Sequence, residues 1–122
     1  DGMALVLAIN YGSRSEIVDA MTAIARRVQA GEVECETITE EMVGQHSYTA
    51  SLPDPDLLIR TSGEMRISNF LLWQLAYTEM WFTETLWPDL DETTLQQAMD
   101  DFVSRERRFG LTSAQVRPGD AA

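Results

Sequence analysis

Short apolar runs alternate along the chain with stretches whose apolar residues recur at helical spacing. Ala4–Ile9 is a continuous apolar run, and Asp56–Ile59 is a second run with three consecutive aliphatic residues. Each ends in polar or turn-forming residues, which is typical of strands buried on both faces of a parallel sheet. Met80–Thr85, bounded by Pro88, is predicted to be a third strand.

The first helix is predicted between Ser13 and Gly31. Ser13 and Glu16 have the spacing of a capping box, in which two side chains bond the free backbone N–H groups at a helix start. Gly31 is expected to supply the C-terminal cap. The apolar positions on one face of this helix are Ile17, Met21, Ile24 and Val28.

Three more helices are predicted. One spans Thr37–Gln45. Another begins at Ser68 and contains Phe70–Tyr77, which is apolar almost all round and is therefore expected to be enclosed. Asp91 caps the last helix. The apolar positions of that helix are Leu95, Met99, Phe102 and Phe109, and the cations predicted for its last turn, where they favour the helix dipole, are Arg105, Arg107 and Arg108.

The order of these elements predicts an α/β fold with a mostly parallel sheet flanked by helices. Three buried strands make a small sheet with open edges. We therefore expect further strands from an upstream segment or from another chain. Residues 111–122 are predicted to form a mobile tail.

Charge narrows the classes of ligand. All nine basic residues are arginines, and twenty acidic residues give a net charge of −11. This excess of acid argues against a nucleic-acid partner, because nucleic-acid binding depends on many basic groups. A small anion remains compatible where a few arginines converge. Cys35 is the only cysteine, which excludes an intrachain disulfide and suits a cytoplasmic protein.

One such convergence follows the second predicted strand. Ligands of open α/β sheets bind beyond the carboxyl ends of the strands. Arg60 lies at that end, Gly63 permits a turn, Arg66 follows, and Ser68 would cap the next helix, whose N-terminus attracts anions. These groups could hold a diphosphate. Spacing alone leaves a second interpretation open, in which both arginines pair with nearby acids such as Asp56 or Glu64.

The sequence around this segment resembles one family closely. The run from Asp56 to Glu79, DLLIRTSGEMRISNFLLWQLAYTE, resembles the C-terminal signature of cis-prenyltransferases. Phe82, Trp87–Asp89 and Arg105–Gly110 continue the resemblance, and Ile9–Arg14 extends it upstream, so that it covers about Ala4 to Gly110. It implies that residues 1–110 are the C-terminal half of the cis-prenyltransferase fold.

The resemblance also implies an activity and a set of site residues. The activity is condensation of an allylic diphosphate, typically farnesyl diphosphate, with isopentenyl diphosphate to give a long-chain cis-polyprenyl diphosphate for cell-wall lipid carriers. A homodimer, Mg²⁺ and peripheral membrane association through the lipid product are further expectations. The implied residues are Arg60, Arg66, Ile67 and Ser68 for the diphosphate of isopentenyl diphosphate, Arg108 and Gly110 for the same site across a dimer interface, and Glu79 for Mg²⁺.

Two departures limit what this chain is expected to do. Met65 stands where many family members carry histidine. The family's Asp-Gly-Asn-Gly-Arg segment, which carries the catalytic aspartate, is not matched by the first residues. We therefore place no catalytic residue in this half and expect the chain alone to be inactive. Two alternatives stay open: a non-catalytic subunit of a heteromeric cis-prenyltransferase, and a small phosphate-binding α/β module.

The position of Glu79 raises a geometric question. It follows Ser68 by eleven residues, or about 16 Å along a continuous helix. A diphosphate is much smaller than this distance. We therefore expect Glu79 to act at a helix end near a metal bound elsewhere, or at a subunit interface, rather than on the phosphate that contacts Ser68.

Overall fold

The computed structural model describes residues 2–105, which form two compact units. The first unit contains the chain up to Pro55 together with Arg66–Ala76. The second contains Asp56–Met65 and the described residues from Tyr77 onward. Within the described residues, no helix is both long enough and apolar enough to cross a membrane.

The first unit is built on α1, Ser13–Gln29. Its buried side faces inward through Ser13, Glu16, Ala20 and Ile24, which recur at three- and four-residue spacing. Met21, predicted to face the core, is 62% exposed. The helix is therefore rotated from the predicted orientation, and small and polar residues occupy much of its inner face.

The C-terminus of α1 agrees with the sequence prediction, whereas its N-terminus does not. At the C-terminus Gly31 has a φ of 72°, and Gly31 and Glu32 donate to the carbonyls of Val28 and Arg27. This is a Schellman motif, so the predicted glycine cap is confirmed. The predicted capping box is wrong, because Gly12 is the N-cap and the side chains of Ser13 and Glu16 bond other parts of the unit.

The predicted helix over Thr37–Gln45 is divided. A 3₁₀ turn covers Cys35–Thr37, and α2 covers Glu40–Gln45. Thr39 separates them, because its hydroxyl accepts a hydrogen bond of 3.2 Å from the Met42 N–H and so caps α2.

The second unit contains the sheet and the last helix. β1, Leu57–Arg60, pairs in parallel with β2, Glu79–Phe82, with Leu57 opposite Glu79 and Arg60 opposite Phe82. A 3₁₀ turn at Trp87–Asp89 follows, and then α3, Glu92–Ser104, which packs on β2. The predicted α/β class, with a parallel sheet and flanking helices, is confirmed.

The ends of α3 are set by Asp91 and Arg105. The carboxylate of Asp91 accepts from the Thr94 N–H, as predicted for its cap. The prediction that Arg105 lies in the last turn is wrong, because Arg105 is the C-cap residue that follows the helix. The other predicted members of the helix end, Arg107, Arg108 and Phe109, lie outside the described residues.

The predicted strand at Ala4–Ile9 is wrong. This segment has no regular structure, and Leu5, Leu7 and Ile9 are 70–84% exposed. A strand requires a neighbour that pairs with its backbone N–H and C=O groups. In the part of the chain that the structure describes, β1 and β2 pair only with each other, so this apolar run has no sheet to join.

The predicted helix beginning at Ser68 is also wrong. Ser68, Asn69 and Leu71 have φ values of 55°, 61° and 47°, which lie in the left-handed region and interrupt a right-handed helix. Residues 69–77 form bends and turns instead. The distance of about 16 Å from Ser68 to Glu79 applies only to a continuous helix. Since no such helix joins the two residues, that distance does not describe the structure.

Candidate diphosphate-binding site

Arg60 is the last residue of β1, at the carboxyl end of the parallel pair. Its carbonyl oxygen accepts a hydrogen bond of 2.9 Å from Thr83 N–H, which continues the ladder beyond Phe82. The residue is half-buried. Among residues 2–105 its guanidinium takes part in no hydrogen bond or ion pair. Pairing of Arg60 with Asp56 or Glu64 is therefore not seen, and the cation is available to an anion.

The turn after Arg60 has a fixed backbone. Ser62 and Gly63 both lie in the left-handed region, with φ values of 67° and 65°. Their N–H groups donate 2.9 Å hydrogen bonds to the carbonyls of Thr85 and Thr83. Because these two N–H groups are already used, they are not donors for a phosphate.

Arg66, Ile67 and Ser68 belong to the first unit, whereas Arg60 belongs to the second. Arg66 and Ser68 are exposed and Ile67 is half-buried. The helix N-terminus predicted at Ser68 is absent, so its dipole contributes nothing to anion binding. The side-chain donors of this segment are the guanidinium of Arg66 and the hydroxyl of Ser68. Arg66 also takes part in an interaction within the structure.

A buried carboxyl group in the first unit bonds Gln74, which follows this segment in the chain. Glu16 is 1% exposed, and its Oε1 accepts from the Tyr48 N–H at 2.8 Å and from Gln74 Nε2 at 3.1 Å. Tyr11 donates its hydroxyl to Oε2. Burial, followed by the bond to Glu16, raises the pKa of the Tyr11 phenol. Sequence reasoning missed this cluster, because the spacing of Ser13 and Glu16 indicated a capping box instead.

Glu79, the predicted metal ligand, is the first residue of β2 and is paired with a cation. Its Oε2 accepts a hydrogen bond of 2.9 Å from Arg105 Nη1. Arg105 Nη1 also donates to the carbonyl of Met80 at 2.9 Å, and Nη2 bonds Asp101. The bonds to Glu79 and then Asp101 raise the pKa of the Arg105 guanidinium. Arg108 and Gly110 lie outside the described residues.

Comparison with known proteins decides the family. Residues 1–110 match the prenyltransferase family described as "Putative undecaprenyl diphosphate synthase". The chain belongs to this family. The resemblance of the Asp56–Glu79 run to cis-prenyltransferases is thereby confirmed.

Individual relatives of this prenyltransferase chain are similar over most of its length. It is 57% identical over 114 residues to a ditrans,polycis-undecaprenyl-diphosphate synthase specific for (2E,6E)-farnesyl diphosphate from Xylella fastidiosa strain Temecula1, covering 93% of this chain and 45% of the relative. It is 56% identical over 115 residues to an isoprenyl transferase from Porphyromonas gingivalis, covering 94% and 45%. The chain thus spans less than half the length of these relatives.

Two solved structures share the fold of this prenyltransferase chain. Lavandulyl diphosphate synthase from Lavandula x intermedia, in complex with dimethylallyl diphosphate, superposes with a TM-score of 0.87 at 45% identity, over 90% of this chain and 48% of that one. A "probable undecaprenyl diphosphate synthase" from Campylobacter jejuni gives a TM-score of 0.66 at 40% identity, over 84% and 45%. Both support the predicted assignment to one half of this fold.

Magnesium, the metal expected from the resemblance, has no complete site among residues 2–105. Mg²⁺ prefers six oxygen ligands, usually including one or two carboxylates and several waters. Within residues 2–105, no three His, Cys, Asp or Glu side chains are grouped to hold a metal. Glu79 can offer one carboxylate, but Arg105 already bonds it. The described residues therefore do not build a magnesium site by themselves.

Proposed function

We propose that the intact protein is a cis-prenyltransferase that condenses isopentenyl diphosphate with an allylic diphosphate, farnesyl diphosphate, to give a long-chain cis-polyprenyl diphosphate for cell-wall lipid carriers. The observation that carries this proposal is the family match over residues 1–110, which includes the complete segment Arg60–Asn69. The farnesyl diphosphate specificity of the Xylella relative supports the choice of allylic substrate.

In this proposal Arg60, Arg66, Ile67 and Ser68 bind the diphosphate of isopentenyl diphosphate. Arg60 is half-buried, and its guanidinium has no ion pair among residues 2–105, which supports an anionic ligand there. A guanidinium can donate two parallel hydrogen bonds to phosphate oxygens. We assign Arg108 and Gly110 to the same diphosphate across a homodimer interface, on the strength of the family relation.

The residues of this half act by positioning. In the reaction, the bond between the allylic carbon and its diphosphate breaks, and that carbon bonds the terminal alkene carbon of isopentenyl diphosphate. This leaves a positive charge on the methyl-bearing alkene carbon, and loss of a proton from the CH2 group on its diphosphate side gives the new cis double bond. The inorganic diphosphate released comes from the allylic substrate. Arg60, Arg66 and Ser68 keep the second substrate's alkene facing the allylic carbon, and such orientation can supply a large share of the rate acceleration.

The remaining features of the proposal rest on the family relation alone. Magnesium is the proposed cofactor, with Glu79 as one ligand and the others outside residues 2–105. When bound, the metal would neutralise diphosphate charge. We further propose a cytoplasmic homodimer that associates peripherally with membrane through its lipid product, with the catalytic aspartate outside this half.

Chain elongation by the intact protein tests the proposal. The intact protein, supplied with farnesyl diphosphate, radiolabelled isopentenyl diphosphate and Mg²⁺, is expected to release labelled long-chain polyprenyl diphosphate. The 122-residue chain alone is expected to release none. An intact protein that binds isopentenyl diphosphate without elongating it would instead be a non-catalytic subunit. Binding no tighter than that of inorganic phosphate would indicate a general phosphate-binding module.

A further inference from the structure

Asn69 is hydrogen-bonded to the start of α1, 55 residues earlier in the chain. Its backbone carbonyl accepts from the Ser13 N–H at 2.9 Å, and its side-chain Oδ1 accepts from the Arg14 N–H at 2.8 Å. The first N–H groups of a helix have no partner within the helix. One residue of a distant segment therefore satisfies two of these groups in α1.

The residues after Asn69 reinforce this connection. Leu72 N–H donates to Ser13 Oγ at 2.8 Å, and Gln74 Nε2 donates to the buried carboxyl group of Glu16 at 3.1 and 3.2 Å. The segment from Asn69 to Gln74 is thus held against the first turn of α1 at three successive points, all of them within the first unit.

The close approach of Asn69 depends on Gly12. A Cβ atom at position 12 would lie 3.1 Å from Asn69 Nδ2, closer than nine in ten real Cβ contacts. The φ of Gly12 is −149°, an extended conformation that any residue can adopt. Space for the Asn69 side chain, rather than backbone freedom, is therefore what glycine provides here.

The backbone at Asn69 determines where Ser68 lies. Ser68 and Asn69 are consecutive residues with φ values of 55° and 61°. Non-glycine residues adopt this region at a cost, which Asn tolerates better than most. Because a contact must compensate that cost, the two hydrogen bonds from α1 to Asn69 account for the conformation that places Ser68 on the surface.

We infer that Asn69 is a positioning residue for isopentenyl diphosphate: by bonding the N-terminus of α1, it fixes the backbone that carries Ser68 and Arg66. This inference rests on the proposed function. The role that we assign to Asn69 is indirect and requires no contact between its side chain and the substrate. Asn69 acts by keeping the preceding donors in the orientation that matches the diphosphate, so its loss weakens the binding of one substrate only.

Steady-state kinetics of Asn69→Gly in the intact protein test the inference. Glycine adopts the left-handed region freely and removes only the hydrogen bond that the Arg14 N–H donates to Asn69 Oδ1. We expect the KM for isopentenyl diphosphate to rise about fivefold, the scale of one lost helix-cap bond. We expect kcat and the KM for the allylic diphosphate to stay within about twofold, since uniform loss of binding to one substrate raises KM alone.

Two further variants make the test specific. Gly12→Ala perturbs Asn69 from the opposite side and is expected to raise the same KM. Thr39→Ala removes a comparable cap bond from α2 in the same unit, and it is expected to lower Tm without changing that KM. If Asn69→Gly lowers Tm but leaves the KM for isopentenyl diphosphate unchanged, Asn69 is only a helix cap and the inference is wrong. A wild-type protein without elongation activity would refute the proposed function instead.

Discussion

Arg105 Nη1 donates a hydrogen bond of 2.9 Å to Glu79 Oε2, and this ion pair joins the C-terminal end of α3 to the first residue of β2. Their side chains are 32% and 29% exposed. The same guanidinium nitrogen also donates to the Met80 carbonyl. Glu79 therefore has a structural partner within residues 2–105, separate from the metal ligation that is proposed for it.

A double-mutant cycle measures how much this pair stabilises the fold. Partly exposed ion pairs contribute up to about 1 kcal/mol, and we expect a coupling of about that size between Glu79→Gln and Arg105→Gln in denaturant unfolding without metal. Arg27 and Glu32 are the matched control pair, at 3.4 Å and 41% and 60% exposed. A coupling no larger than that of the control pair would contradict a stabilising role.

Arg60 is predicted to be a determinant of affinity for isopentenyl diphosphate. Each charge-assisted hydrogen bond that it donates is worth about 1.5–3 kcal/mol, so Arg60→Ala is expected to raise the KM for that substrate by about 10- to 100-fold. Arg60→Lys should recover part of the affinity, because lysine keeps the charge but lacks the planar fork. Arg26→Ala is the control, since Arg26 is exposed on α1. An unchanged KM in Arg60→Ala would refute the assignment.

The elements that the sequence predicts correctly are those decided by neighbouring residues. β1 is predicted by a short aliphatic run. The start of α3 is predicted by Asp91, whose side chain accepts a hydrogen bond from the N–H three residues later and so caps the helix. The end of α1 at Gly31 is decided in the same way. Each of these signals needs only local backbone chemistry, so no knowledge of the rest of the fold is required.

The failures have non-local causes. Ala4–Ile9 has the composition of a strand, but a strand needs a partner elsewhere in the chain. The segment after Ser68 has the apolar pattern of a helix. In the structure, however, Asn69 has a left-handed backbone and accepts hydrogen bonds from the N–H groups of Ser13 and Arg14, which lie 56 and 55 positions earlier. In the candidate site, the helix N-terminus predicted at Ser68 is therefore absent. Arg60 lies at the end of a strand, as predicted.

The buried carboxyl group of Glu16 is predicted to be a principal stabilising group of the first unit. Replacement by alanine leaves the Tyr48 N–H and the Gln74 amide without this acceptor. Buried donors left without an acceptor cost about 1–3 kcal/mol each, so we expect Glu16→Ala to lower the free energy of unfolding by about 3–5 kcal/mol. Glu36→Ala, at an exposed position, should change it by less than about 0.5 kcal/mol. Similar values for both variants would contradict the prediction.

Two glycines should respond to alanine with opposite signs. Gly31 has a φ of 72°, so Gly31→Ala forces a side chain into the left-handed region and is expected to destabilise by about 1 kcal/mol. Gly44 lies inside α2 with nothing within 4 Å of an added Cβ. Gly44→Ala is therefore expected to stabilise by about 0.5–1 kcal/mol. Thermal unfolding measures both, and destabilisation by both changes would contradict this account of α2.

Asp91 is predicted to make the stability of α3 depend on pH. The Thr94 hydroxyl donates to Asp91 Oδ1 at 2.7 Å and the Thr94 N–H at 2.8 Å, and these bonds lower the pKa of the Asp91 carboxyl group. A carboxylate with a lower pKa in the folded state stabilises the fold above its unfolded pKa, and this contribution is lost as the pH falls through the folded pKa. Asp91→Asn keeps a capping side chain without the titration. We therefore expect the Tm of the wild type to fall relative to that of Asp91→Asn between neutral pH and about pH 3. Relative to the control Asp54→Asn, at an exposed position, the Tm of the wild type should show no such fall. Parallel Tm curves for the wild type and Asp91→Asn across this range would contradict the prediction.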